Sequence, residues 1–209
     1  MRILSPIKNI AFTTALSLSA VAYAQKPNYA PPLLQTLADT FEYQNVSQMV
    51  SPKGVNNLFI LEKAPNPFIE IAGEEKTASI IVDINRNILY KYDEEGNAVN
   101  AFLIASGKAS TPTETGVRIV THIERYPYKT APKHTKRRKN PWDYGPRIIF
   151  LNKIDPQTGT QSSTGEFIHG NNNPKSLGKH ASKGCIRMDN EIIKQIAAET
   201  KQGDIVIIQ

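Results

Sequence analysis

From about Lys76 onward, β-branched and aromatic residues come in short runs, each stopped by turn residues within a few positions. The runs fall at residues 79–84, 88–92, 99–104, 116–122, 147–151, 166–169 and 204–208. Asn85-Arg86-Asn87 and Asp93-Glu94-Glu95-Gly96-Asn97 are two of the gaps between them. Runs of this length, separated this often, read as strands joined by tight connections. They predict a mainly β, sandwich- or barrel-like domain. One helix is expected late in the chain. Asp189 can cap it, Glu191 suits its first turn, and Gly203 follows its end. Ile192, Ile193, Ile196 and Ala197 form its buried stripe.

Ahead of this body, residues 1–24 carry Arg2 and Lys8, a mildly apolar stretch, and then Ala22-Tyr23-Ala24. That is the charge, apolar run and small-x-small order of an export signal, so export to the periplasm or cell envelope is expected. Thr13, Thr14, Ser17 and Ser19 dilute the stretch, and no later run reaches the roughly 18 apolar residues of a membrane span. No stable span is therefore expected after cleavage. Cleavage after Ala24 removes two cations and lowers the formal charge from +6 to +4.

Residues 25–75 read as a helical lead and a connector with no assignable chemistry. Leu33, Leu34, Leu37, Ala38 and Phe41 share one helical face behind Pro31-Pro32. Pro52, Gly54, Pro65, Pro67 and Gly73 mark turns. The short apolar piece at 58–61 reads as an edge strand.

The chain has a single cysteine, Cys185. A disulfide framework and any multi-cysteine metal site are thereby excluded. An unpaired cysteine in an exported protein is either buried and inert or kept for its chemistry. Cys185 follows His169 by sixteen positions, and histidine is the natural base for a thiol near neutral pH. Gly184 leaves the local backbone unscreened, so the N–H groups of Gly184 and Cys185 could face one developing oxyanion. The helix beginning near Asp189 could add its dipole to a thiolate. Arg187 offers a fork for a carboxylate. From the residues alone, a cysteine and a histidine that never meet remains an equal reading. A metal held by His169, His180 and Cys185 would need carboxylates that the neighbourhood lacks, so neither metal nor cofactor is expected.

The stretch from His169-Gly170-Asn171-Asn172-Asn173-Pro174 to Ser182-Lys183-Gly184-Cys185-Ile186-Arg187-Met188 resembles the L,D-transpeptidase catalytic domain family of the YkuD type. Two upstream blocks resemble it as well. They are Ser106-Gly107-Lys108 with Thr111-Pro112-Thr113-Glu114-Thr115-Gly116, and Asn140-Pro141 with Gly145-Pro146-Arg147. The resemblance covers residues 76–209. It implies an acyltransferase acting on peptidoglycan stem peptides. Cys185 would be the nucleophile, His169 the base, and the Gly184 and Cys185 amides the oxyanion hole. Arg187, Ser182 and Gly170 would serve substrate binding. A neighbouring stem or an envelope lipoprotein would accept the acyl group, and no nucleic acid is a partner. Lys183 departs from the histidine that many members carry there.

Alternatives keep their place. Within the same family, water as acceptor would make an L,D-carboxypeptidase, and a catalytically silent wall-binding module is a reading from another class. A sortase-like enzyme would need a Thr-Leu-x-Thr-Cys motif and an arginine about a dozen residues after the cysteine; Ser-Lys-Gly-Cys stands here instead, and no arginine follows Arg187. A papain-like order would put cysteine before histidine. Residues 126–147 combine lysines and arginines with Tyr126, Tyr128, Trp142 and Tyr144. They read equally as a cap over the site and as a solvated basic loop. His122 reads as a strand residue and His134 as a loop residue.

Overall fold

The computed structural model describes residues 49–209 apart from residue 57 and residues 129–132. The expected export signal and the expected lead helix lie outside the described residues. Among those described, nine strands form one mixed sheet and two form a small second one.

The strands are β1 (Phe68–Ile71), β2 (Glu74–Asp83), β3 (Ile88–Tyr92), β4 (Ala98–Leu103), β5 (Ser106–Gly107), β6 (Gly116–Arg125), β7 (Arg147–Ile154), β8 (Gln161–His169), β9 (His180–Ser182), β10 (Ile186–Arg187) and β11 (Ile205–Ile208). The large sheet runs β10-β8-β7-β6-β11-β2-β3-β4, with β1 paired to β2. Three short helices accompany it: α1 (Leu58–Leu61), α2 (Lys136–Lys139) and α3 (Asn190–Glu199).

The seven expected runs all lie in or against strands, and the mainly β class holds. The sheet curls until its ends meet. Beyond β4, Ala105 exchanges two main-chain hydrogen bonds of 2.9 Å with Arg187 of β10. Inside the curl, Ile80, Val82, Ile149, Ile168, Ile186 and Val206 pack on Ile192, Ile193 and Ile196 of α3. Asp189 caps α3 as expected, accepting from the N–H groups of Glu191 and Ile192. Partial burial pushes the Asp189 carboxyl up, but Lys53 and those two N–H groups outweigh it and hold the carboxyl below its ordinary value.

The outer face carries a second core, and here the expectations change. Ile60 and Ile71 pack with Ile81, Tyr90 and Ala101. Residues 58–61 are a helical turn and not an edge strand. Four apolar residues cannot distinguish the two by pattern, and Lys63 and Ala64 close turns onto the carbonyls of Ile60 and Leu61. Phe68–Ile71, read as connector, is a strand whose register sets Phe68 opposite Thr77 and Ile71 opposite Glu74. Residues 49–75 thus help cover the sheet. β2 is buried on both faces, which explains why its Ile-Ile-Val run does not alternate.

Candidate active site

Three adjacent strands build the site by parity. Successive residues of a strand point to opposite faces. Ile149, Ile168 and Ile186 are hydrogen-bond neighbours across β7, β8 and β10, and all three enter the core inside the curl. Their successors or predecessors must then face the other way. That outward row is Ile148, His169 and Arg187, in register across the same strands. The parallel pairing of β8 with β10 is what sets Arg187 beside His169. Continuing that register by one residue puts Cys185 opposite Phe167, whose main-chain N–H supports the thiolate form. The structure thus brings Cys185, His169 and Arg187 to one face.

The surroundings of that row are aromatic. Tyr144 lies 5.1 Å from the His169 ring, and Phe150 meets Phe167 edge-on at 4.7 Å. Tyr128, Ile148 and Phe150 form a small core beneath them. His169 is 4% exposed, and its Nδ1 makes no hydrogen bond of good geometry. Burial depresses its pKa from 6.5 to about 4; the Arg187 charge lowers it further, while the main chain of Gly170 and Tyr144 opposes the shift. Cys185 keeps part of its surface open, but burial dominates and pushes its thiol up. The Phe167 N–H pulls the other way, the Glu166 charge adds to the rise, and the Arg187 charge reduces it. Both groups therefore rest uncharged, a thiol and an imidazole on the same face.

This differs from a thiolate held by a helix dipole. The free N–H groups at the start of α3 are taken by the Asp189 carboxylate, so that end of the helix is spent on its own cap.

The loop carrying the cysteine is tied from two sides. Ser182 is fully buried; its Oγ donates to the Cys185 carbonyl at 2.5 Å and accepts from the Gly184 N–H at 3.1 Å. The Gly184 amide is thus already engaged, and of the two expected oxyanion donors the Cys185 N–H remains. Ser182 staples the loop and offers no surface to a substrate. Gly184 sits at φ +108°, where any side chain would be strained. From the other side, Thr113 donates from Oγ1 to the Gly184 carbonyl and accepts from the Gly107 N–H, both at 2.8 Å. The first of the upstream blocks seen in the sequence therefore brackets the cysteine loop. Behind it, the Ser106 hydroxyl links Asn87 at 2.7 Å and His180 at 2.8 Å. His180 serves β5 and β9; no three His, Cys, Asp or Glu side chains among the described residues are grouped to hold a metal.

Gly170, expected at the substrate, is instead packed shut. A Cβ there would lie 2.4 Å from Asn190 Oδ1 and 2.8 Å from Pro146. Arg187 makes no side-chain ion pair among the described residues, so its charge stays available on the site face. Lys183 is exposed. His122 stacks on Phe150 at 3.9 Å as a strand residue. Arg118 and Glu166 form a buried pair 2.6 Å apart; nothing in the local sequence marks two strand residues 48 positions apart as partners.

The fold is a mainly β domain in which neighbouring strands carry His169, Arg187 and Cys185 to one face. Residues 77–208 match the family model of the L,D-transpeptidase catalytic domain, YkuD, and with more than half of the sequence inside the match the chain belongs to that family. It is 31% identical over 129 residues to a protein named as a YkuD L,D-transpeptidase in Bacillus licheniformis, covering 62% of this chain and 64% of that one. It is 27% identical over 177 residues to a protein named as an ErfK/SrfK L,D-transpeptidase in Escherichia coli, covering 75% and 56%. The chain thus spans less than two-thirds of the length of these relatives. A solved L,D-transpeptidase of Mycobacterium tuberculosis aligns with a TM-score of 0.47 at 17% identity, covering 64% of this chain and 58% of that one.

Proposed function

We propose that the protein is an exported, cysteine-dependent acyltransferase that works on tetrapeptide stems of peptidoglycan in the cell envelope. The observation that supports this most is the register of β8 and β10, which sets Arg187 beside His169 and, continued by one residue, carries Cys185 to the same side.

The reaction starts from the neutral pair. Cys185 Sγ attacks the carbonyl joining the third stem residue to the terminal D-alanine, and His169 takes the thiol proton as the bond forms. The base must be neutral to do so, and burial keeps it neutral well below pH 7. The Cys185 N–H receives the oxyanion. The tetrahedral adduct collapses, the C–N bond breaks, and D-alanine leaves with the proton from His169. A thioester remains on Cys185. An amine of a second stem, or of an envelope lipoprotein, then attacks; His169 removes the amine proton and returns it to the leaving sulfur. Arg187 binds a stem carboxylate. Water in place of the amine would give a carboxypeptidase, so exclusion of water by Tyr144 and Phe167 bears on the outcome.

The test is mass spectrometry of purified tetrapeptide muropeptides incubated with the protein and with Cys185→Ala. Loss of D-alanine with a new link between third residues supports the proposal. Tripeptide alone assigns the acceptor as water. No Cys185-dependent change overturns both and leaves a wall-binding module.

A further inference from the structure

We propose that a groove beside the catalytic face is a saccharide subsite, taking an N-acetylated hexosamine ring of the glycan strand to which the stem is attached. The inference deepens the proposed function and rests on it.

The groove is a cavity of about 270 Å³ between the 141–146 segment and the first turn of α3. One wall is aromatic. Trp142 is 72% exposed and Tyr126 40% exposed, which is unusual for side chains of their size. Their ring centres lie 5.8 Å apart with planes tilted by 33°. The platform is held ready. Tyr126 meets Tyr128 edge-on at 5.7 Å, and buried Tyr128 donates its hydroxyl proton to the Gly145 carbonyl.

The floor exists because two glycines meet there. A Cβ on Gly145 would lie 2.5 Å from Asn190 Oδ1 and 2.6 Å from Gly170 Cα. Asn190 clamps the Asn171 backbone, accepting from its N–H at 2.8 Å and donating to its carbonyl at 3.0 Å. The opposite rim is polar: Asn172, bound to Asp143 at 2.6 Å, and the Glu191–Lys194 pair at 2.8 Å.

These features select the ligand. Flat aromatic faces match the C–H face of a pyranose ring, while amide, carboxylate and ammonium groups match its hydroxyls and acetamide. Glu191 and Lys194 cancel in charge, which favours a neutral ring over an ionised peptide. An acyl chain would leave the polar rim unpaired. Position gives the rest. Asn171 lines the groove two residues after His169, and Gly145 follows Tyr144, whose ring covers His169. A sugar in the groove and its own peptide at Cys185 would be held by the same two loops.

Trp142 is the only tryptophan of the chain, so tryptophan emission, excited at wavelengths the tyrosines do not absorb, reports on this groove alone. The protein, and Cys185→Ala in parallel, is titrated with a β-1,4 tetramer of N-acetylglucosamine, which carries no stem. A saturable change is expected in both, weakened roughly tenfold by Tyr126→Ala. In turnover, the disaccharide-tetrapeptide is expected to exceed the free tetrapeptide in kcat/KM, chiefly through KM. Trp142→Ala should bring that ratio to about one while leaving the free tetrapeptide rate unchanged. Both rings are exposed, so these variants keep the fold. No saturable signal, an equal response to the glucose tetramer, or an unchanged ratio in Trp142→Ala would each overturn the subsite. Sugar binding without any Cys185-dependent turnover would sink the enzyme reading alone. Turnover without sugar binding would sink this one alone.

Discussion

The two faces of β7, β8 and β10 are built from alternate residues of the same three strands, and they answer to different rules. The inward row, Ile149, Ile168 and Ile186, is fully buried and uniform. Its contribution depends on volume, and a similar apolar side chain would serve. The outward row, Ile148, His169 and Arg187, holds three different chemistries in one register. There the identities of His169 and Arg187 matter more than their volumes, while Ile148 packs with Tyr128 and Phe150. One pairing pattern therefore fixes both stability and reactivity, and the two can be broken separately.

The largest effect should come from breaking the outward side. His169→Ala and Cys185→Ala should each lower turnover by at least about a thousandfold with the melting transition nearly kept. Ile168→Ala should do the reverse. It should cost about 2–5 kcal/mol of stability, seen in a denaturant melt, while the protein that remains folded still turns over. Loss of activity without loss of stability in that variant would contradict the division of labour.

Next in size is the buried ion pair that closes the inner side near the cysteine. Arg118 is wholly buried and reaches Glu166 through Nε, with its other nitrogens on the carbonyls of Val117 and Glu114. Arg118→Met strands the Glu166 carboxylate and should cost about 3–5 kcal/mol. Restoring a neutral partner with Glu166→Gln in the same chain should recover part of it, which a double-mutant cycle would read.

The pH dependence sharpens the comparison further. Folded His169 gives up its proton near pH 4, against 6.5 in the unfolded chain. The stability gained by keeping the ring neutral is complete above pH 6.5 and is lost as pH falls through about 4, roughly 3 kcal/mol in all. His169→Ala should flatten that part of the stability–pH curve. The acid limb of kcat/KM should likewise fall near 4. Tyr144→Ala opens the ring to water and should move that limb up toward 6.5; an unmoved limb would deny Tyr144 any part in the shift.

The smallest effect is expected at Lys183. It is exposed beside Gly184, and Lys183→His should change turnover by no more than about twofold in the muropeptide assay.

Much of this was legible in the sequence because it is local. Strand runs, the Asp189 cap and the stripe of α3 all depend on neighbours within four residues. The His169 and Cys185 blocks were legible through their resemblance to the family; the residues alone left a cysteine and a histidine that never meet as an equal reading. What escaped depends on distant partners. Residues 58–61 turned helical and Phe68–Ile71 became a strand because the outer core and β2 received them. The Thr113 bracket joins positions 71 residues apart. The depressed His169 follows from aromatic packing supplied by Tyr144 in another segment. No local pattern encodes any of these.

The place of β11 in the sheet has a consequence in time. Residues 205–208 lie between β6 and β2, pairing antiparallel with one and parallel with the other. A ribosome reaches them after every other strand described. Until then β2, β3 and β4 lack the strand that joins them to β6, and the large sheet stays open there with Cys185 already made. Long-range pairing of this kind is slow to form. Under the export proposed above, such an order suits passage of an unfolded chain: the large sheet is not complete before its late central strand has emerged.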